Sequence, residues 1–231
     1  MVRANRHEQG KSTFWNNPLL TPKILLAAYA RGIFPMAESR NDDNLHWVDP
    51  PRRGIIPIKD FHISRSLART IRSDDFTVET DRNFAGVLAG CADRPETWIN
   101  VRLAKLYTDL HKTGHAHSVE VFHNGVLMGG IFGISMGAAF FGESMFSRRT
   151  NASKVALAYL VVRLSKAGYT LFDTQFLTPH LQSLGGIEVS RSEYHERLRS
   201  AIAAHADFSA PGPVSAAQVL EHRKNHTSYR G

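Results

Sequence analysis

The stretch HSVEVFHNGVLMGGIFG, residues 117–133, decides the fold. Apolar residues alternate on either side of Asn124-Gly125, and an Asn-Gly pair supplies the two residues that best tolerate the left-handed backbone of a tight hairpin turn. Two antiparallel strands are predicted here. Downstream, AAFFGESMF (138–146) reads as a third strand. A helix follows with Leu157, Leu160, Val161 and Leu164 on one face and Gly168 at its end. Next come a strand over Thr170–Phe176, a short helix opened by Thr178-Pro179, a strand near Ile187–Ser190, and a helix from Ser192 to about Ala204.

Upstream, Leu103, Leu106, Tyr107 and Leu110 recur at helical spacing, and Gly114 supplies a C-cap. Further back the segments are shorter. Thr21-Pro22 opens a helix carrying Ile24, Leu25, Ala28 and Tyr29 on one face, with further helices expected from Ser64 and Asp81 and a strand over Phe76–Thr80. The polar CADRPE at 91–96 suggests a division. The expected fold is α+β, with a small, mainly helical N-terminal domain over 1–92 (1–15 disordered), a mixed sheet flanked by helices over 93–210, and a frayed polar tail over 211–231. Strand, strand, strand, helix, strand, helix, strand is the order of the acyltransferase core of many N-acetyltransferases (GNAT-like), in which an acyl donor lies where two neighbouring strands splay apart.

Composition sets broad limits. With 231 residues, 42% hydrophobic and 21% charged, the chain can bury a sizeable core. A single cysteine, Cys91, excludes an internal disulfide framework and agrees with a cytoplasmic setting. The N-terminal MVRANRHEQGK lacks the apolar core of a secretory signal, and the apolar run at 129–142 is glycine-rich and too short to span a membrane. A net charge of +7 nominates a polyanionic partner without identifying it. The 12 histidines form no recognisable ligand set, so no metal or cofactor is expected.

GESMFSRRTNASK (142–154) is the segment richest in chemistry. Glu143 falls inside an apolar strand between Phe141 and Met145, where a carboxylate needs hydrogen bonds, a counter-charge or a polar ligand. Arg148, Arg149 and Lys154 then crowd a loop and helix N-terminus, a place suited to phosphate. The glycine loop that holds the pyrophosphate of coenzyme A is absent. Asp173 and Gln175 alternate along one strand, so a regular strand would point both to one face, where together they could hold an amine. Trp47 and Trp98 could stack on bases.

Taken together, these segments resemble the leucyl/phenylalanyl-tRNA–protein transferase family. The blocks are LLAAYARGIFPM, WVDPPRRGIIP, FHISRSL, TWIN, LHKTGHAHSVEVF, GGIFG, FFGESMFSRRTNASKVAL, LFDTQFLTPHLQSLG and SRSEYHERL, in the family's order over most of residues 20–200. The resemblance implies an enzyme that moves leucine or phenylalanine, and methionine less well, from leucyl-tRNA or phenylalanyl-tRNA to proteins beginning with arginine or lysine. Such products enter N-end-rule degradation. It also implies that Asp173 holds the acceptor amine, Gln175 orients it, Glu143 fixes the donor aminoacyl group, and Trp98 with Trp47 contacts the terminal adenosine. Met145, Leu160, Leu164 and Phe172 are candidates for the donor side-chain pocket. Glu120, Glu143, Asp173 and Glu188 all remain open as partners of the acceptor's cationic side chain. A monomer is expected. Three rivals stand beside this reading: an acyl-CoA enzyme, the related transferase acting on aspartate or glutamate N-termini, and a non-catalytic RNA-binding protein.

Overall fold

The computed structural model describes residues 20–42, 44–73 and 75–227, apart from the side chains of 223–227. The disorder expected over 1–15 lies outside the described residues. In chain order the elements are α1 (Pro22–Tyr29), β1 (Phe34–Ala37), β2 (Leu45–Val48), β3 (Arg52–Ile55), α2 (Arg65–Arg72), β4 (Thr77–Thr80), α3 (Phe84–Ala92), α4 (Val101–Lys112), β5 (Ala116–His123), β6 (Val126–Met136), β7 (Ala139–Ser147), α5 (Ala152–Lys166), β8 (Leu171–Gln175), α6 (Pro179–Ser183), β9 (Ile187–Ser190), α7 (Arg191–Ala203) and α8 (Ala216–Thr227).

Local chemistry explains most boundaries. The Thr21 hydroxyl accepts from the Ile24 amide at 3.3 Å and Pro22 occupies the first turn, which starts α1. Asn124 (φ 50°) and Gly125 (φ 76°) both take the left-handed conformation, and β5 pairs antiparallel with β6 across them. The helix expected from Asp81 begins later, at Phe84. Asp81 is itself left-handed (φ 57°) and gives its carboxylate to the Ser118 amide at 2.8 Å and His117 Nδ1 at 2.7 Å, so Asn83 caps α3 instead.

Seven strands form one mixed sheet in the order β4-β5-β6-β7-β8-β3-β9. The β7–β8 junction is parallel and the rest are antiparallel, the single parallel step being crossed by α5. This is the expected α+β arrangement, a mixed sheet flanked by helices. Successive side chains alternate between two cores, as the pleat requires. Phe132, Ile134, Phe141 and Leu171 face α1, α3, α4 and α7, whereas Ile131, Phe140 and Phe172 face α2, α5 and α8. Helix α5 is buried nearly all round because the sheet covers one side and α2 and α8 the other.

Two expectations are corrected. The break at 91–96 is no boundary of the sheet, since two strands from the first 92 residues belong to it: β4 forms one edge and β3 lies between β8 and β9. The tail is not frayed over its described part. Val219 on α8 is fully buried, and Val214, Ala216 and Leu220 pack against the core beneath the sheet. Arg163 adds an Nη2 bond to the Gly212 carbonyl at 2.6 Å. No helix among the described residues is long and apolar enough to cross a membrane.

Candidate active site

Strands β7 and β8 are paired at only three positions, Ala139 with Leu171, Phe140 with Phe172, and Phe141 with Asp173. Beyond them β7 stays on β6 while β8 turns toward β3, and a cavity of about 640 Å³ opens in the gap. Its apolar wall includes Met145, Leu157 and Phe172, its floor carries Glu143 and Gln175, and Arg94 and Arg148 stand at its rim. A site of this size with apolar walls and few convergent polar groups suits a small organic moiety.

Glu143 is the buried-side anchor of that floor. Tyr29, from α1, donates to Oε1 at 2.8 Å, Tyr107, from α4, donates to Oε2 at 3.0 Å, and Gln175 Nε2 donates to Oε1 at 3.4 Å. The two phenol oxygens are 3.3 Å apart and both tyrosines are fully buried. Burial pushes the Glu143 carboxyl up to about 8; the two phenol hydrogen bonds oppose the rise and the charge of Asp173 reinforces it. The side chain therefore changes charge close to the pH at which an α-amine does.

Asp173 has a different fate from the one expected. It is fully buried and all its acceptor positions are taken. Oδ1 accepts from Arg53 Nε at 2.9 Å and the Gln175 amide at 2.8 Å; Oδ2 accepts from Arg53 Nη2 at 2.6 Å and the Tyr194 hydroxyl at 2.9 Å. Arg53 is equally buried, bonded to the Gly32 carbonyl at 2.9 Å, and clasped between the Phe34 and Tyr194 rings, 4.6 and 4.3 Å from its Cζ. A carboxylate so enclosed does not line the cavity. What it holds is the Gln175 backbone, which sits at φ 59°. That left-handed turn ends the strand alternation and delivers the Gln175 carboxamide to the cavity, so Asp173 and Gln175 are not a side-by-side pair. Gly54 makes room for the turn: a Cβ there would lie 2.6 Å from the backbone of Phe176 and Leu177.

The other expected residues divide. Met145, Phe172, Trp98 and Arg148 line the cavity, with Trp98 edge-on to Tyr107 at 6.2 Å. Leu160 and Leu164 do not. They are fully buried in the core beneath the sheet, and the residue of that helix face nearest the splay is Leu157, one turn earlier. Trp47, on β2 opposite Pro35, packs against the core outside the cavity lining. Arg149 lies over the Phe76 ring, 5.4 Å away, rather than at the rim. Lys154 is half-buried beside His180, whose imidazole is pulled down by burial and by that lysine's charge. Glu120 is buried against Ser118 and the start of α3, and Glu188 pairs with Arg52 at 3.6 Å, so neither reaches the cavity.

Four residues central to the geometry were not singled out for chemistry from the sequence: Tyr29, Tyr107, Arg53 and Tyr194. Tyr29 and Tyr107 stand in apolar helical stripes. The available signal was that a tyrosine in such a stripe needs a buried partner for its hydroxyl. Among the described residues, one trio has metal-type proximity, Glu38, Asp42 and His46, with ligand atoms within 4.8 Å of one another, but Glu38 is exposed and the trio belongs to the β1–β2 hairpin.

Comparison with known proteins adds a second line of evidence. The family model described as leucyl/phenylalanyl-tRNA protein transferase matches residues 55–199, and that of the same family's N-terminal domain matches residues 19–51. A leucyl/phenylalanyl-tRNA–protein transferase of Cereibacter sphaeroides (strain ATCC 17025 / ATH 2.4.3) is 59% identical over 91% of this chain and 99% of its own length. The protein of that name from Ruegeria sp. (strain TM1040) is 56% identical over 90% of this chain and 99% of its own. Among solved structures, FemX aligns with 72% of this chain and 66% of its own at 12% identity and a TM-score of 0.49, a likeness too loose to support any argument.

Proposed function

The chain belongs to the leucyl/phenylalanyl-tRNA–protein transferase family, an aminoacyltransferase family, and from that premise we propose that it passes leucine or phenylalanine, and methionine less well, from charged tRNA to the α-amine of proteins beginning with arginine or lysine. The observation that carries this reading is the cavity at the β7–β8 splay, with its apolar wall, hydrogen-bonding floor and cationic rim. Met145, Leu157 and Phe172 would receive the donor side chain, and the adaptable methionine accounts for tolerance of both branched and aromatic shapes. Trp98 would meet the terminal adenosine, with Arg94 and Arg148 near its phosphates. Gln175, whose Nε2 is turned to Glu143, presents its carbonyl oxygen to the acceptor amine. Asp93, exposed at the rim, is assigned to the acceptor's cationic side chain.

Aminolysis of an aminoacyl ester is downhill, so the reaction needs neither ATP nor a metal. The nucleophile is an α-amine of ordinary pKa about 7.7–8.0, so positioning contributes more than strong activation. We place the enzyme in the cytoplasm as a monomer that marks substrates for N-end-rule degradation. The test supplies leucyl-, phenylalanyl- and valyl-tRNA, without ATP or metal, to peptides differing only in a first residue of arginine, lysine, aspartate or alanine. Leucine or phenylalanine should reach the arginine and lysine peptides alone. Transfer to the aspartate peptide would refute the acceptor assignment, and efficient use of valine would refute the pocket.

A further inference from the structure

We propose that Glu143 is the catalytic base of the transfer, accepting the proton released by the acceptor amine, and that Tyr29 and Tyr107 are positioning residues that hold it. The inference rests on the aminoacyl-transfer reading above and adds to it a group for the proton. Apart from Asp93, which stands exposed at the rim and is assigned to the acceptor's side chain, two carboxylates lie at the floor of the cavity or directly behind it. Asp173 is excluded because Arg53, Tyr194 and the Gln175 amide occupy its oxygens and seal it from the cavity. Glu143 is open to the cavity, touches Gln175, and is fixed by two buried phenols from different helices. Those partners are neutral donors, so the carboxylate keeps a full charge to use on a proton. Its charged surroundings are Asp173 on β8, which raises its proton affinity, and Arg53 on β3, which lowers it less.

The step balances as follows. The neutral amine attacks the ester carbonyl, forming the C–N bond. The extra N–H proton passes to a Glu143 oxygen as the tetrahedral adduct forms. The C–O bond to the ribose breaks, and the ribose oxygen takes the proton back from Glu143, regenerating the carboxylate. Nothing is oxidised and no co-reactant is consumed.

The reactive state needs two deprotonated groups, Glu143 and the amine. Below both pKa values kcat/KM should therefore rise about a hundredfold per pH unit, against about tenfold when the amine alone must ionise. The experiment uses the full chain, phenylalanyl-tRNA and an arginine-initiated peptide at pH 5.5–8.5, with ester hydrolysis subtracted. Glu143→Gln should lower kcat by about a hundredfold or more, leave both KM values within about threefold, and show the shallower pH slope. Tyr107→Phe should retain transfer but move the carboxylate limb to higher pH, because it removes a hydrogen bond from the charged form; a merely structural role would change only the amount of folded protein. A Glu143→Gln profile with the wild-type slope, or a loss confined to KM, would overturn the proposal. If the wild-type chain transfers from no charged tRNA in the same assay, the underlying transfer reading fails instead.

Discussion

Replacing Asp173 by asparagine tests the idea that this carboxylate organises the site from outside it. Asparagine keeps the shape, and its oxygen can still accept from the Gln175 amide. The change leaves the Arg53 guanidinium, which has 0% exposure, without a counter-charge. Removing one partner of a buried pair costs about 3–5 kcal/mol. At about 2–4 °C per kcal/mol for a chain of this size, the melting temperature should fall by roughly 6–20 °C. Arg53→Met should cost a similar amount by stranding the carboxylate. The double variant Arg53→Met/Asp173→Leu removes both charges, a change that is often neutral or favourable. It leaves the Gln175 amide, the buried Tyr194 hydroxyl and the Gly32 carbonyl without the partners that Asp173 and Arg53 supply, at about 1–3 kcal/mol each, so its stability should return only in part. Turnover should not return with it, because the φ 59° turn at Gln175 has lost its anchor. Thermal unfolding followed by circular dichroism, run beside single-turnover transfer, separates the two effects. A cost below about 1 kcal/mol for Asp173→Asn, or recovery of turnover in the double variant, would refute the reasoning.

Three other expectations follow from the same geometry. Arg148→Ala should weaken tRNA binding and reduce the slope of log affinity against log salt by about 1, whereas Arg149→Ala, which sits on Phe76, should change it less; equal slopes for both would remove the rim from the donor site. Leu157→Phe should narrow the cavity and favour leucine over phenylalanine as donor, while Leu164→Ala should cost about 2–5 kcal/mol of stability without altering that preference in a competition assay. The raised Glu143 carboxyl also makes a stability prediction. The unfolded chain releases this proton near the ordinary glutamate value and the folded chain only near 8, so the wild type loses stability between those pH values. Relative to wild type, Glu143→Gln should thus gain more stability at pH 8.5 than at pH 4, by at most about 5 kcal/mol; a gain independent of pH in chemical denaturation would contradict the shift.

The parts that were legible in the sequence share a cause: they depend on neighbours along the chain. Asn124-Gly125, Thr21-Pro22 and Thr178-Pro179 each act through local backbone chemistry, and the elements they start are present. The alternation of β8 was read correctly up to Phe172 and misread at Gln175, because the turn is held by Asp173 only in concert with Arg53 and Gly54, on a strand more than a hundred residues away. Arg53 was invisible for the same reason. In PPRRG nothing local distinguishes Arg53 from Arg52, and only β3 threading between β8 and β9 buries one of them. Leu157, Leu160 and Leu164 share a helical face that periodicity cannot divide; the end of the β7–β8 ladder decides which one meets open space. The tail looked frayed because its larger apolar residues, Val214, Val219 and Leu220, are too few to show a period, yet Val219 is buried and the other two pack against the core.

The placement of β3 also bears on how the chain emerges from the ribosome. Its neighbours in the sheet, β8 and β9, are translated more than a hundred residues after it. Until they appear, Arg53 has neither Asp173 nor Tyr194 to meet, and Tyr29 waits for Tyr107 and Glu143. A nascent chain is therefore surrounded by charged tRNA while it has no cavity in which to use one, and competence arrives only with the last third of the polypeptide.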